Sequence, residues 1–206
     1  MSDRLPTVAV VDDEPDVLKA VARLLRSEGI SVATFSSPRE FLDQLDTDAP
    51  GCLVLDMSMP GTSGLEVQAQ LEGRGCVLPV IFLTGRADVP ATVRAMKGGA
   101  ADFLTKPVED EDLLAAVRRA IEKDAALRRD RAEAAEVQGL LRTLTPRERE
   151  VLEHVVSGQL NKQIAGRLGT VEKTIKVHRA RVMEKMKAES LADLVRLAHR
   201  AGIGPR

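Results

Sequence analysis

"TVAVVDDEPDV", residues 7–17, sends a run of apolar, mostly β-branched residues straight into Asp12, Asp13, Glu14 and, past Pro15, Asp16. A run this short, rich in valine and stopped by charge, reads as a buried strand whose C-terminal end carries chemistry. The pattern recurs: "SVATF", "CLVLD", "PVIFLT" and "DFLTK" read as four more strands. Residues 15–28, 38–46, 64–73, 88–98 and 110 onward read as helices between and after them. In the first helix Val17, Leu18, Val21, Leu24 and Leu25 fall on one face, and Gly29 stops it. Strict alternation of strand and helix predicts an α/β fold, a doubly wound five-stranded parallel sheet covered on both faces.

Beyond Asp110 the character changes. "DEDLLAAVRRAIEKDAALRRDRAEAAEVQGLLRT" has no proline and is dense in Ala, Glu, Arg and Leu, which predicts a fifth helix continuing as a long charged linker helix, with a break at Gly139. Residues 144–202 are helical throughout in pattern, at about 146–157, 161–168, 172–187 and 190–201.

Composition narrows the function classes. With 206 residues, 44% hydrophobic and 30% charged, the chain suits two modest globular domains. "VAVV" and "CLVL" are far too short to span a bilayer, and "MSDRLPT" lacks the basic and apolar regions of a signal peptide, so the expected location is cytoplasmic with no membrane partner. Cys52 and Cys76 lie outside any CxxC or Cys/His cluster and read as reduced, small apolar side chains. His154, His178 and His199 fall in separate helical segments without metal spacing, and none reads as catalytic.

The net charge of −1 hides an asymmetry. Residues 1–124 hold 13 Lys+Arg against 21 Asp+Glu, whereas residues 125–206 hold 17 against 10, so an acidic half is joined to a basic one and the two suit different partners. There is no Trp or Tyr and only four Phe, which excludes a base-stacking platform for single strands and favours a helix entering a duplex groove.

In an open parallel sheet, ligands bind outside the carboxyl ends of the strands at the switch in strand order. Asp12 and Asp13 close the first strand, Asp56 the third, Thr84 the fourth, and Lys106 follows the fifth, so these residues converge. Carboxylates held together repel by about 4 kcal/mol per pair at ~4 Å and an effective dielectric near ~20. A cation must therefore sit among them; hard oxygen donors point to Mg²⁺, with Lys106 as a second positive group. A metal, a lysine, a hydroxyl and a free carboxylate are the parts needed to accept a phosphoryl group.

"VVDDEPDV", "LVLDMSMPGTSGLE", "IFLTGRADV" and "DFLTKPVEDEDL" together resemble, in order and spacing, the signatures of the receiver domain of two-component response regulators, over about residues 5–123. The resemblance implies a flavodoxin-like receiver in which Asp56 accepts phosphate from a sensor histidine kinase. Asp13 and Asp56 would bind Mg²⁺ with the main-chain carbonyl of Ser58, and Asp12 would act largely through a metal-bound water. Lys106 would pair with the phosphoryl oxygens, Thr84 would hydrogen-bond one of them, and Phe103 matches the aromatic that turns inward when Thr84 moves. A cis bond before Pro107 and a receiver dimer face including Val93 and Lys97 belong to the same expectation. Two rivals fit poorly: a haloacid dehalogenase-type hydrolase wants an acid where Ser58 stands, and a flavodoxin-like nucleotide binder wants a glycine-rich loop where the acids stand.

In "NKQIAGRLGTVEKTIKVHRARVMEKMKA" a short helix, Gly169 and a longer helix have helix-turn-helix spacing. With Ile175 inward, Val182 and Met186 also face inward. Lys173, Val177, Ala180 and Glu184 face outward, flanked by Thr174, Lys176, Arg181 and Lys187. "LTPREREVLEHVVSGQLNKQIAGRLGTVEKTIKVHRARVMEKM" resembles the DNA-binding domain of FixJ/NarL (LuxR-type) regulators, over residues 144–202. That likeness puts base reading on Lys176, Val177 and Ala180, and phosphate contacts or docking on Thr174, His178 and Arg179, with Lys173 on the same outward face. Relatives carry Ser or Thr where this chain has Val171, so Thr170 is expected to cap the helix one residue early. Small apolar Val177 and Ala180 suit thymine methyl groups.

The expected organisation is a receiver over 1–123, a helical linker over 124–143 and a helix-turn-helix domain over 144–206. It describes a regulator rather than an enzyme, with a histidine kinase, double-stranded DNA, RNA polymerase and, when phosphorylated, a second copy as partners. The alternative is a phosphorelay or protein-binding receiver whose helical tail docks a protein.

Overall fold

The computed structural model describes residues 4–85 and 89–204. Five strands form, each within a residue or so of its sequence reading: β1 (Thr7–Val11), β2 (Ser31–Phe35), β3 (Gly51–Asp56), β4 (Val80–Thr84) and β5 (Asp102–Thr105). They make one parallel sheet in the order β2-β1-β3-β4-β5, so the winding reverses between β1 and β3. Val11 stands opposite Leu55, which brings the residues ending these two strands, Asp12 and Asp56, side by side at the switch point.

Alternation along the strands divides the core. Val8, Val10, Cys52 and Val54 face one side and pack against α1 (Pro15–Ser27) and the first half of α5 (Asp110–Arg142). Val11, Leu53, Leu55 and Phe82 face the other, against α2 (Pro38–Asp43), α3 (Gly64–Gly73) and α4 (Val89–Lys97). Large side chains buried this completely contribute about 1.5–3 kcal/mol each, which holds the sheet and fixes its loops in space. Cys52 lies wholly inside, where burial first and then the Asp124 carboxylate push its thiol up to about 12. The first residue read into the fourth helix, Asp88, lies outside the described residues.

Two corrections concern helix ends. α2 stops at Asp43 rather than 46, because the Asp46 carboxylate accepts from the Asp48 N–H at 3.0 Å and from Arg4 at 2.7 Å, forming a turn instead. The break expected at Gly139 does not occur: α5 runs from Asp110 through Gly139 to Arg142.

The chain divides into two units, one ending at Arg128 and one beginning at Arg129. The second holds the end of α5 with α6 (Pro146–Val156), α7 (Asn161–Arg167), α8 (Glu172–Lys185) and α9 (Leu191–Arg200). Its core joins Val151, Leu152, Ile164, Ile175, Val182 and Met186. Val137 and Leu141, inside the segment read as linker, are buried in that same core.

Candidate functional site

Four strand ends at the C-terminal edge of the first unit's sheet, those of β1, β3, β4 and β5, meet in a cavity of about 530 Å³ bordered by Asp13, Glu14, Asp56, Ser58, Gly85 and Lys106. Lys106 Nζ lies 2.7 Å from Asp12 Oδ2, 2.7 Å from Asp56 Oδ1 and 3.3 Å from Glu14 Oε1. Asp12 and Asp56 are buried, while Asp13 and Ser58 are exposed at the cavity mouth. The remaining oxygens are also held: Asp12 Oδ1 accepts from the Glu14 N–H at 2.9 Å, and Asp56 Oδ2 from the Ser58 N–H at 2.7 Å. The Lys106–Pro107 bond is cis.

Electrostatics follow from this packing. Burial pushes the Asp12 carboxyl above its ordinary value, against the opposing pull of Lys106 and the Glu14 N–H. Burial would lower Lys106, but its hydrogen bonds to Asp12 and Asp56 and their charges outweigh that and raise it, so it stays an ammonium. Among the described residues no three acidic, imidazole or thiol side chains stand as a ready metal cage. The donors bordering the cavity are all hard oxygens, the set that suits Mg²⁺.

Thr84 is buried at the end of β4, and its carbonyl accepts from the Lys106 N–H at 2.7 Å, tying β5 to the site. Phe103 on β5 is half-buried with its ring centroid 6.5 Å from that of Phe82. The pairing of Glu14 with Lys106 has no signal in the sequence. Glu14 occupies the N-cap position of α1 without capping it, and its carboxylate turns to the lysine instead.

In the second unit, Gly169 has φ +61°, a left-handed conformation that lets α7 end and α8 begin within a short turn. α8 starts at Glu172 with Val171 at its N-cap and no side-chain cap, so the early cap expected from Thr170 does not form. Ile175, Val182 and Met186 are buried, as the helical spacing requires, whereas Lys173, Lys176, Val177, Ala180, Arg181 and Glu184 are exposed. Thr174, His178 and Arg179 sit at the edge of that face, half-buried, and Arg179 Nη1 donates to Asn161 Oδ1 at 3.2 Å. Lys176 Nζ lies 3.2 Å from Glu172 Oε1. The helix is braced from behind by the buried Glu148, which accepts from Lys185 at 2.6 Å and from the Thr145 N–H at 2.8 Å. Thr145-x-x-Glu148 is legible as a capping box, but Lys185 is too distant in sequence to have been paired with it.

The family profile "Response regulator receiver domain" matches residues 8–118, and "Bacterial regulatory proteins, luxR family" matches residues 142–198. "Nodulation protein W" of Bradyrhizobium diazoefficiens is 46% identical over 95% of this chain and 86% of its own length. "Transcriptional regulatory protein FixJ" of Azorhizobium caulinodans is 46% identical over 100% of this chain and 97% of its own. A solved structure of response regulator StyR is 45% identical, covering 96% of this chain and 100% of that one, with a TM-score of 0.86. The luxR-family match disfavours a tail that merely docks a protein. An acidic, lysine-neutralised cavity at the switch point of one unit, joined to a basic helix-turn-helix in the other, thus finds its place: this chain belongs to the transcriptional response regulators that pair a receiver domain with a LuxR-type DNA-binding domain.

Proposed function

We propose that Asp56 is the residue through which this regulator is switched, taking a phosphoryl group from a sensor histidine kinase. The observation that carries this is the Asp56 carboxylate itself, buried at the switch point with one oxygen on Lys106 and the other on the Ser58 N–H. On this reading a phosphorus–nitrogen bond of the kinase's phosphohistidine breaks as a bond to an Asp56 oxygen forms, and the imidazole regains a proton. Lys106 then moves from carboxylate to phosphoryl oxygens without leaving the site. Thr84 supplies a hydroxyl to the same group, and Phe103 follows its movement.

Mg²⁺ supplies charge neutralisation between carboxylates and phosphoryl oxygens when bound. Asp13, Asp56 and the Ser58 carbonyl would hold it, with Asp12 acting through water; Asp13 and Ser58 are exposed at the cavity and free of the Lys106 pairing. The added phosphoryl charge, about −1.5 to −2, pulls Thr84 and Lys106 inward and reshapes the α4 and β5 face, where Val93 is 45% and Met96 47% exposed. Two receivers pair there, bringing two DNA-binding domains to a two-fold operator in the cytoplasm, where RNA polymerase is engaged. Residues 1–123 receive the signal, 124–143 link, and 144–206 bind DNA. In the last of these, Lys176, Val177 and Ala180 read bases, while Lys173, Thr174, His178 and Arg179 serve phosphates.

The test is intact mass after incubation with Mg²⁺ and a small phosphodonor, for the native chain and Asp56→Asn, with solution size measured in parallel. One phosphoryl group and a dimer are expected for the native chain alone. Equal labelling of Asp56→Asn places the acceptor elsewhere.

A further inference from the structure

The recognition helix carries an acid where the duplex would lie. Glu172 is the first residue of α8, and the N-terminal residues of such a helix are those that reach base edges. Its carboxylate lies 3.2 Å from Lys176 Nζ, and the two side chains are 46% and 64% exposed, so both are open to solvent. A lone carboxylate in a phosphate-lined groove is repelled; one coupled to an ammonium presents an acceptor beside a donor.

We infer that Glu172 and Lys176 act as one unit that reads a G·C base pair, Lys176 donating to guanine and Glu172 accepting from cytosine. The inference rests on α8 being the groove-reading helix. An ammonium has three N–H donors; with one turned to the neighbouring Glu172, two remain to match guanine N7 and O6. The carboxylate has lone pairs left for the cytosine N4 amino group. Across the major groove a G·C pair offers acceptor, acceptor, donor in that order, which is the complement of Lys176 followed by Glu172. An A·T pair places its donor between two acceptors and ends in a methyl group, so the carboxylate meets thymine O4 and is repelled. Glu172 is thereby a specificity-determining residue, and its cost in phosphate repulsion is offset only where cytosine is present.

A favourable charge at the helix N-terminus is a second reason for an acid at this position, and it predicts no base preference. The experiment separates the two. Full-length native protein, Glu172→Gln and Glu172→Ala are each used to select duplexes from a randomised pool, and binding is then measured on the selected site and on single-pair changes of it. The expected result is a fixed G·C pair in each half-site for the native protein. Discrimination at that pair alone falls about tenfold in both variants, with preferences elsewhere unchanged. Variants that bind every duplex more tightly by a common factor, with all preferences kept, overturn the inference, since the carboxylate then acts only on phosphates. If the folded native protein selects no site, the groove-reading role of α8 fails as well, an outcome distinct from the loss of one base-pair preference.

Discussion

The ammonium of Lys106 sits 2.7 Å from Asp56 Oδ1, so the carboxylate proposed to take the phosphoryl group is paired with a cation before any group arrives. The same nitrogen holds Asp12 at 2.7 Å, which makes Lys106 the counter-charge that lets two buried acids share the end of a sheet. Receiver stability and receiver chemistry therefore depend on one side chain.

Lys106→Met removes that counter-charge and leaves Asp12 and Asp56 facing one another. The receiver is expected to lose about 2–3 kcal/mol without Mg²⁺, less than the roughly 3–5 kcal/mol for a fully buried pair because water reaches the lysine. Part of the loss should return when Mg²⁺ is added. Phosphorylation at Asp56 should fall by at least about tenfold, the scale of one lost charge contact in a transition state. Urea denaturation followed by far-ultraviolet circular dichroism measures the first effect, since the chain has no Trp or Tyr to report by fluorescence. Unchanged stability in both conditions would show that the two acids relieve their repulsion by taking up a proton.

At the opposite edge of the sheet, Arg128 Nε donates to Asp124 at 2.8 Å and its Nη1 and Nη2 reach the carbonyls of Asp48 at 3.0 Å and Ala49 at 2.6 Å. Asp124 in turn accepts from the Gly51 N–H at 2.9 Å. Arg128→Ala strips the buried Asp124 carboxylate of its cationic partner and two carbonyls of their donor. The expected cost to the receiver is about 2–4 kcal/mol, since water reaches Arg128 as it does Lys106 while two carbonyls also lose their donor, and Arg128→Lys should recover only a minor part because a point charge cannot reproduce the fork. Denaturant midpoints of the three proteins check the order.

Gly51 has φ +147°, and a Cβ placed there would stand 1.9 Å from the Thr7 carbonyl oxygen, its partner in the β1–β3 register. Gly51→Ala must push β1 from β3 at the start of both strands. A loss of about 3 kcal/mol or more is expected, from strain and overpacking together. Amide exchange across Thr7–Val11 should accelerate with it; an unchanged rate would mean the loop before β3 absorbs the strain.

The strands were legible because their apolar runs are short, β-branched and cut off by charge, and the convergence of Asp12, Asp56 and Lys106 followed from parallel topology alone. The inward face of α8 was legible from spacing about Ile175. Contacts between residues distant in sequence were not. Nothing in the sequence near Glu14 shows that its carboxylate abandons the N-cap for Lys106, and nothing near Lys185 points to Glu148. The early cap at Thr170, expected because many relatives place Ser or Thr where this chain has Val171, does not form: Val171 itself takes the N-cap position after the left-handed Gly169. The break at Gly139 misled because a single glycine costs a helix only about 1 kcal/mol, which burial of Val137 and Leu141 on either side outweighs.

Glu148 offers a pH signature confined to the DNA-binding unit. Its hydrogen bond to Lys185, then those to Thr145, hold its carboxyl down at about 2, against an ordinary value of 4.5. A depressed carboxyl contributes stability that is fully present above its unfolded value and is lost as pH falls through its folded one. The loss should therefore develop between about pH 4.5 and pH 2. Glu148→Gln should flatten stability across that window while leaving the receiver's acid response unchanged. At neutral pH, Lys185→Met should cost the unit about 1–2 kcal/mol, because the lysine is one-third exposed and the Thr145 N–H still serves the carboxylate. Since this pair joins the start of α6 to the end of α8, the same variant should weaken operator binding without touching a DNA-facing residue. Two-dimensional spectra recorded in an acid titration read the two units separately. If Glu148→Gln and the native chain lose the DNA-binding unit at the same pH, the Glu148–Lys185 contact contributes nothing to holding the recognition helix.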